Sequence, residues 1–258
     1  MRHPSRSQGE DRPSSMANWT KTVSIPPPPD DDQVLIVIIP LDTTGTGWQA
    51  CCAELPGDEQ ERTRRFKYNA DRLRFAKCRS LLRRIIACWQ DIRPIEVQLR
   101  IGENGKPFLC QSGGLQFNIS HTRGCAILAL CLDHEIGIDI EYTARDTDID
   151  GVAGKVFTAR EQDMLVQLDN RRKRREFFRL WTAKEAFMKA TGRGFSLDPS
   201  SIETSLPENR EQPGSFLCDK IDAAASLLVK EVPAPPGYQA MLCAPAAAFS
   251  RPPSVTSI

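Results

Sequence analysis

Histidine is scarce in this chain of 258 residues: there are three, His3, His121 and His134, and none stands at ligand spacing from a cysteine cluster. The nine cysteines are an odd number without one Cys-x-x-Cys pair. Both absences argue against a structural zinc site, and the second also against a disulfide framework. The adjacent Cys51 and Cys52 cannot easily bridge each other. The thiols read as small core residues of a protein from a reducing compartment, and a cytoplasmic location is expected. No run of 18 apolar residues occurs, which excludes a membrane-spanning helix. The apolar stretch VLIVIIP at 34–40 is too short for that and reads as a buried strand. A surplus of one charge is also missing. With 34 Lys and Arg against 33 Asp and Glu, the net charge of +1 argues against a surface given over wholly to nucleic acid or membrane, while leaving room for a local basic region.

What the chain does have is apolar material, 40% of its residues, enough for one large domain or two small ones. Residues 1–32 are rich in Ser, Arg and Pro and end in PPPPDDD, and Glu10 and Asp11 count against a transit peptide. This segment is expected to be disordered, with folding beginning near Val34 and Met16 as an alternative start. From Asp71 to the stop expected at Pro94, Leu73, Cys78, Leu81, Leu82, Ile85 and Trp89 keep helical spacing, with Arg72, Arg74, Lys77, Arg79 and Arg83 between them. These arginines, with Arg62 and Arg65 before them, admit two readings: a solvated basic face, or guanidinium forks that grip phosphates. Residues 95–101 alternate as a strand and lead through GENGKPF, with Lys106 just ahead of Pro107. FNISHT follows, where Asn118 and Ser120 share a face ahead of His121. CAILALCLDHEIGIDIEY reads as two strands joined by a tight turn around Asp133 and His134.

Thr158 and Glu161 form a capping box, and RRKRR at 171–175 runs directly into an amphipathic helix stopped by Gly192 and Gly194. Its buried stripe is Phe177, Phe178, Leu180, Trp181, Phe187 and Met188. Trp181, Glu185 and Lys189 recur every four residues along one edge, which by itself is an ordinary i, i+4 pattern. After short strands with proline turns the chain ends in RPPSVTSI, expected to be disordered.

The stretch GIDIEY at 137–142 poses the functional question. Ile136, Ile138 and Ile140 point to one face of a strand and Asp139 and Glu141 to the other, about 7 Å apart along the chain. Two readings fit. An amphipathic strand with acids on its solvent side is common. The other is a half-built cation site, since a hard divalent ion turns the repulsion of neighbouring carboxylates into binding.

GKP at 105–107, FNISHT at 117–122, GIDIE at 137–141 and WTAKEAFMKATGRG at 181–194 follow one another in an order that resembles the Sfp-type 4'-phosphopantetheinyl transferases. The likeness spans about residues 54–245, including the looser stretch RRF and DRLRFAKCRSLLRR. It implies an α+β fold, a single-chain pseudo-dimer of two similar halves with the cofactor in the cleft between them. The halves would be residues 33–135 and 136–248, flanked by disordered segments at 1–32 and 249–258. It implies an enzyme that transfers the 4'-phosphopantetheine arm of coenzyme A to a serine of an apo acyl, peptidyl or aryl carrier protein, with Mg²⁺, releasing adenosine 3',5'-bisphosphate.

By the same resemblance Asp139, Glu141 and Glu185 hold the metal, and Glu185 and Lys189 are the catalytic pair. His121, with Ser120 beside it, binds a phosphate of the coenzyme, Lys106 and Pro107 lie along the nucleotide, and Lys189 faces the pyrophosphate. Arg62 and Arg74 are assigned to the 3'-phosphate. The chemistry of the residues fits, because a pyrophosphate and a 3'-phosphate call for cationic side chains and a divalent ion. Two other classes compete. A non-catalytic protein could keep the cleft to hold coenzyme A or a carrier, although binding alone would not demand the full acid set with Lys189. A nucleic-acid module built on the basic helix lacks a net basic excess and an aromatic platform, so neither nucleic acid nor membrane is an expected partner. The pseudo-dimeric fold implies a monomer.

Overall fold

The run VLIVIIP becomes β1 (Leu35–Pro40), and both of its faces are covered, which is why it does not alternate with polar residues. In the computed structural model, which describes residues 24–41, 47–110, 113–221 and 226–258, three helices come next: α1 (Trp48–Ala53), α2 (Gly57–Arg65) and α3 (Asn69–Gln90). Five strands follow, β2 (Leu99–Ile101), β3 (Pro107–Leu109), β4 (Leu115–Thr122), β5 (Cys125–Leu132) and β6 (Gly137–Tyr142). Then come α4 (Ile149–Val156), α5 (Ala159–Val166) and α6 (Asn170–Ala190). The chain closes with β7 (Glu203–Ser205), β8 (Gly214–Leu217), β9 (Leu227–Glu231), β10 (Tyr238–Pro245) and β11 (Ser254–Ser257).

One sheet has the order β11-β1-β5-β4, a second the order β6-β10-β9-β8-β7, and β2 pairs with β3 in a separate ribbon. Leu35, Val37 and Ile39 of β1, with Ala126, Leu128 and Leu130 of β5, pack with Leu81, Leu82, Ile85 and Ile86 of α3. The alternate residues Ile36, Ile127 and Ala129 meet Ile138, Ile140, Ala240 and Leu242 of the second sheet. That sheet's outer face, with Val229, Met241 and Cys243, is closed by Ala183, Ala186 and Phe187 of α6. The layers therefore run helix, sheet, sheet, helix, an α+β fold of two halves in which each sheet carries one long helix.

Several local expectations change. The last residues are not disordered: β11 runs parallel to β1, with Ser254 opposite Leu35 and Ser257 opposite Ile38, and covers what would otherwise be a bare edge. Residues 24–32 also lie on the fold, since Ile25 joins the α3 core and the Trp89 indole donates to the Pro26 carbonyl at 2.8 Å. Residues 1–23 of the segment expected to be disordered lie outside the described residues. The strand expected over 95–101 is shortened to β2 by a 3-10 turn at Pro94–Glu96, where proline has no N–H for a ladder. β5 and β6 do not pair with each other, because the connection through Asp133, left-handed at φ 58°, carries the chain from one sheet to the other. α3 stops at Gln90, ahead of Pro94, with Asp91 left-handed at φ 51°.

The basic residues of α3 are divided between two jobs. Arg83 is buried, its Nε donating to Glu59 Oε2 at 2.7 Å and its Nη1 to the Val97 carbonyl at 2.6 Å. Arg84 Nε donates to Glu54 Oε2 at 2.8 Å. These arginines fasten α3 to the short helices before it, so the solvated-face reading fails for this part of the helix. Arg74, half-buried, stays near its N-terminal end and pairs with Asp71.

One buried ion pair holds the second half. The capping box forms as expected, the Thr158 N–H donating to Glu161 Oε2 at 2.9 Å, and the Thr204 N–H takes the other oxygen at 2.9 Å. Lys184, 0% exposed, donates to Glu161 Oε2 at 2.6 Å and to the Pro199 carbonyl at 2.9 Å. Burial pulls the Lys184 pKa below the ordinary lysine value, and Glu161 opposes that pull. Lys184→Met leaves the buried Glu161 carboxylate uncompensated and should lower stability by about 3–5 kcal/mol. A denaturant titration checks this, and a loss under about 1 kcal/mol would show that the pair can be dispensed with.

Candidate active site

β4 closes the edge of the first sheet, β6 closes the edge of the second, and the two edges meet. In place of a backbone ladder, alternate side chains of β4 reach across. Asn118 Oδ1 accepts from the Ile138 N–H at 2.9 Å, and Ser120 Oγ and Thr122 Oγ1 accept from the Ile140 and Tyr142 N–H groups, each at 3.4 Å. With the isoleucines of β6 turned toward the first sheet, Asp139 and Glu141 must take the other face, and α6 covers it. The solvent-face reading of the acidic pair is thereby overturned: Asp139 is 4% exposed. Gly137 shares that face and lets the helix come close. A Cβ there would stand 2.0 Å from the Ala186 carbonyl oxygen and 2.3 Å from the Ala190 nitrogen.

Trp181, Glu185 and Lys189 present one edge of α6 to this strand. Lys189 Nζ donates to Asp139 Oδ1 at 2.6 Å and to Ser120 Oγ at 2.9 Å, and the Ser120 hydroxyl donates to the same Asp139 oxygen at 2.7 Å. The Trp181 indole donates to Glu141 Oε1 at 2.9 Å, while Arg145 at 3.1 Å and the Thr122 hydroxyl at 3.3 Å share Oε2. Asp139 Oδ2 is buried without a hydrogen-bond partner. Buried polar atoms are nearly always paired, so this one calls for a ligand or a role.

Burial pushes the Glu185 carboxyl up to about 7; Lys189 pulls against the rise, and the negative charges of Asp139 and Glu141 add to it. Glu141 is raised as well, by burial and then by Asp139, against the Trp181 hydrogen bond. His121 stands at the open end of β4 on the α3 side. Burial, then Arg74 and Lys189, hold the imidazole below the usual histidine value.

The fold thus brings Ser120, His121, Asp139, Glu141, Glu185 and Lys189 to one seam, with Arg74 near enough to His121 to disfavour its protonation. Arg62 stands apart: it is exposed on α2, its guanidinium 5.1 Å from the centroid of the Phe75 ring. Lys106 donates to Glu135 at 2.8 Å and to the Ile136 carbonyl at 3.3 Å, just ahead of β6. With Pro107 it lines a cavity of about 620 Å³ beside the C-terminal end of α6. Among the described residues no group of three or more His, Cys, Asp or Glu side chains is arranged to hold a metal ion. Among the described residues Asp139 Oδ2 accepts no hydrogen bond, and Glu141 Oε1, with one bond from the Trp181 indole, keeps a second acceptor site. Gly137, Thr122 and Arg145 escaped the sequence reading. Gly137 lies inside the quoted motif, but its need arises from a helix much later in the chain, and Arg145 lies beyond the strand where spacing says nothing.

Residues 135–243 match a family model described as 4'-phosphopantetheinyl transferase superfamily, and residues 42–132 one described as 4'-phosphopantetheinyl transferase, N-terminal. The chain is 37% identical over 161 residues to the 4'-phosphopantetheinyl transferase HetI of Nostoc sp., across 61% of this chain and 68% of that protein. It is 29% identical over 187 residues to the 4'-phosphopantetheinyl transferase Sfp of Bacillus subtilis, across 72% of this chain and 80% of that one. To the L-aminoadipate-semialdehyde dehydrogenase-phosphopantetheinyl transferase of Xenopus laevis it is 30% identical over 173 residues, across 60% of this chain and 55% of that one. The two matched segments meet at the crossing from β5 to β6, and the later one carries Asp139, Glu141, Glu185 and Lys189. On these likenesses, and with one family match in each half of the fold, the chain belongs to the 4'-phosphopantetheinyl transferase family and is a transferase.

Proposed function

We propose that this transferase moves the 4'-phosphopantetheine arm of coenzyme A onto a serine of an apo acyl, peptidyl or aryl carrier protein, with Mg²⁺ as its cation and adenosine 3',5'-bisphosphate as the leaving group. The observation that supports it most is the buried Asp139 Oδ2 without a partner, beside the raised Glu185 carboxyl and the Lys189 ammonium. That donor set fits a hard divalent cation, which takes carboxylate oxygens together with phosphate oxygens. Asp139 Oδ2 and Glu185 would hold it, and Glu141 could join through Oε1, which accepts one bond from Trp181 and has a second acceptor site. When bound, the cation supplies positive charge against the pyrophosphate.

The protein's own side chains do the rest. His121 and Arg74 bind phosphate at the α3 edge, Arg62 reaches the 3'-phosphate, and Lys106 and Pro107 flank the nucleotide. Ser120 holds Lys189 and Asp139 in one place. Glu185 accepts the proton of the carrier serine, directly or through water, as the serine oxygen bonds to the β-phosphorus and the bond from that phosphorus to the bisphosphate oxygen breaks. Lys189 meets the charge that develops on the phosphate oxygens. The enzyme acts as a cytoplasmic monomer and needs neither nucleic acid nor membrane; no helix among the described residues is long and apolar enough to cross a membrane.

Incubating the chain with coenzyme A, Mg²⁺ and a panel of apo carriers, then weighing each carrier intact, should give the added mass of one arm, absent with EDTA. No added mass on any carrier, with coenzyme A still bound, would sink this choice of donor and acceptor in favour of a protein that only binds them.

A further inference from the structure

Among the described residues Asn118 has no hydrogen bond to an ionised group of the site, yet its side chain makes the shortest of the three bonds from β4 side chains to backbone N–H groups of β6, 2.9 Å against 3.4 Å for Ser120 and Thr122. We propose that Asn118 is a positioning residue for the transfer reaction: its Oδ1 fixes β6 in register against β4 and so holds Asp139 where Ser120 and Lys189 meet it. This rests on the reading of the seam as the transferase centre.

β4 and β6 belong to different sheets, and each already pairs on its other side, β4 with β5 and β6 with β10. The partners 118 and 138, 120 and 140, 122 and 142 advance together, so the strands run parallel at a constant offset, joined by side-chain oxygens. Register is therefore set by few atoms. A slide of even part of the roughly 3.3 Å strand rise would carry Asp139 away from Ser120 and Lys189. Ser120 and Thr122 also bond the Asp139 and Glu141 carboxylates of β6 and share in setting it, but their bonds to the β6 backbone are long, and Asn118 makes the short one. Asn118 is itself buried, 4% exposed. On the far side of the same peptide unit, Gly137 lies against the α6 backbone, so the link from Gly137 to Ile138 is held from both directions. Removing the Asn118 acceptor leaves the buried Ile138 N–H without its partner, which favours a movement of β6.

Asn118→Leu deletes the acceptor at similar size, and Asn118→Asp keeps it. At a temperature where a melt shows each variant folded, N118L should lower kcat about 10–100-fold, the range seen when groups that orient metal-site carboxylates are removed. Its KM for coenzyme A should change far less, and calorimetric titration of Mg²⁺ in the presence of coenzyme A should weaken by a similar factor. N118D should recover most of both, and Asn118→Ala serves where N118L does not fold. A variant that melts earlier but keeps wild-type kcat and Mg²⁺ affinity would overturn the proposal and leave Asn118 a purely structural residue. Should the wild-type chain transfer nothing, the reading of the site fails, but the titration still decides: weakened Mg²⁺ binding in N118L keeps the positioning role, and unchanged binding removes it.

Discussion

Asp139→Ala is expected to lower carrier modification by about 10²–10³-fold, the loss typical of removing one group that meets charge in a transition state. The substitution removes the buried oxygen that lacks a partner and the acceptor that holds Lys189, whose remaining bond is to Ser120. It also takes away one of the two negative charges that raise Glu185. Folding should survive. The lost ion pair with the partly exposed Lys189 is set against relief of repulsion among three carboxylates, and the two effects oppose each other. The measurement is the intact mass of the carrier beside a thermal melt of the enzyme. Wild-type transfer by D139A would remove Asp139 from the machinery, and an unfolded variant would shift the test to Asp139→Asn, which keeps size and hydrogen bonding.

Gly137→Ala should be nearly as damaging for a different reason. Gly137 does not need glycine for its φ, since it is absent from the left-handed positions; it needs the space. The added carbon would meet backbone atoms of α6 at 2.0 and 2.3 Å, and backbone cannot rotate aside as a side chain can. The helix must therefore shift away from β6, carrying Glu185 and Lys189 from Asp139. Overpacking of this kind destabilises by about 1–3 kcal/mol. A displacement of about 1 Å at reacting groups can cost about 10²-fold in rate. Gly154→Ala is the control: an added carbon there meets nothing within 4 Å, and in mid-helix it should be neutral or stabilise by about 0.5–1 kcal/mol. Equal activity and stability for G137A and G154A would show that the contact between α6 and β6 is not tight.

Much of the fold was legible because it is written in local periodicity. The all-apolar run of β1 signalled a strand buried on both faces, the four-residue recurrence of Trp181, Glu185 and Lys189 placed them on one edge of α6, and Thr158 with Glu161 marked a helix start that the structure contains. Errors fell where the outcome depended on a distant partner. RPPSVTSI has the composition of a loose tail, but β1 offered it an open edge, and four of its residues became β11. The arginines of α3 look alike in sequence, yet Arg83 and Arg84 are drawn to Glu59 and Glu54 of the preceding helices, while Arg74 is left beside His121.

The same division runs through the site. Residue order and spacing determined that Asp139 and Glu141 share one face of a strand and that Glu185 and Lys189 share one edge of a helix, because period is a property of the chain itself. Tertiary structure alone decided that these two surfaces face each other across Gly137, that Trp181 and Arg145 occupy Glu141, and that one oxygen of Asp139 is left open. The reason is physical: what covers a face, and so the burial that lifts Glu185 to about 7, depends on which distant segment packs there, and no local pattern encodes it.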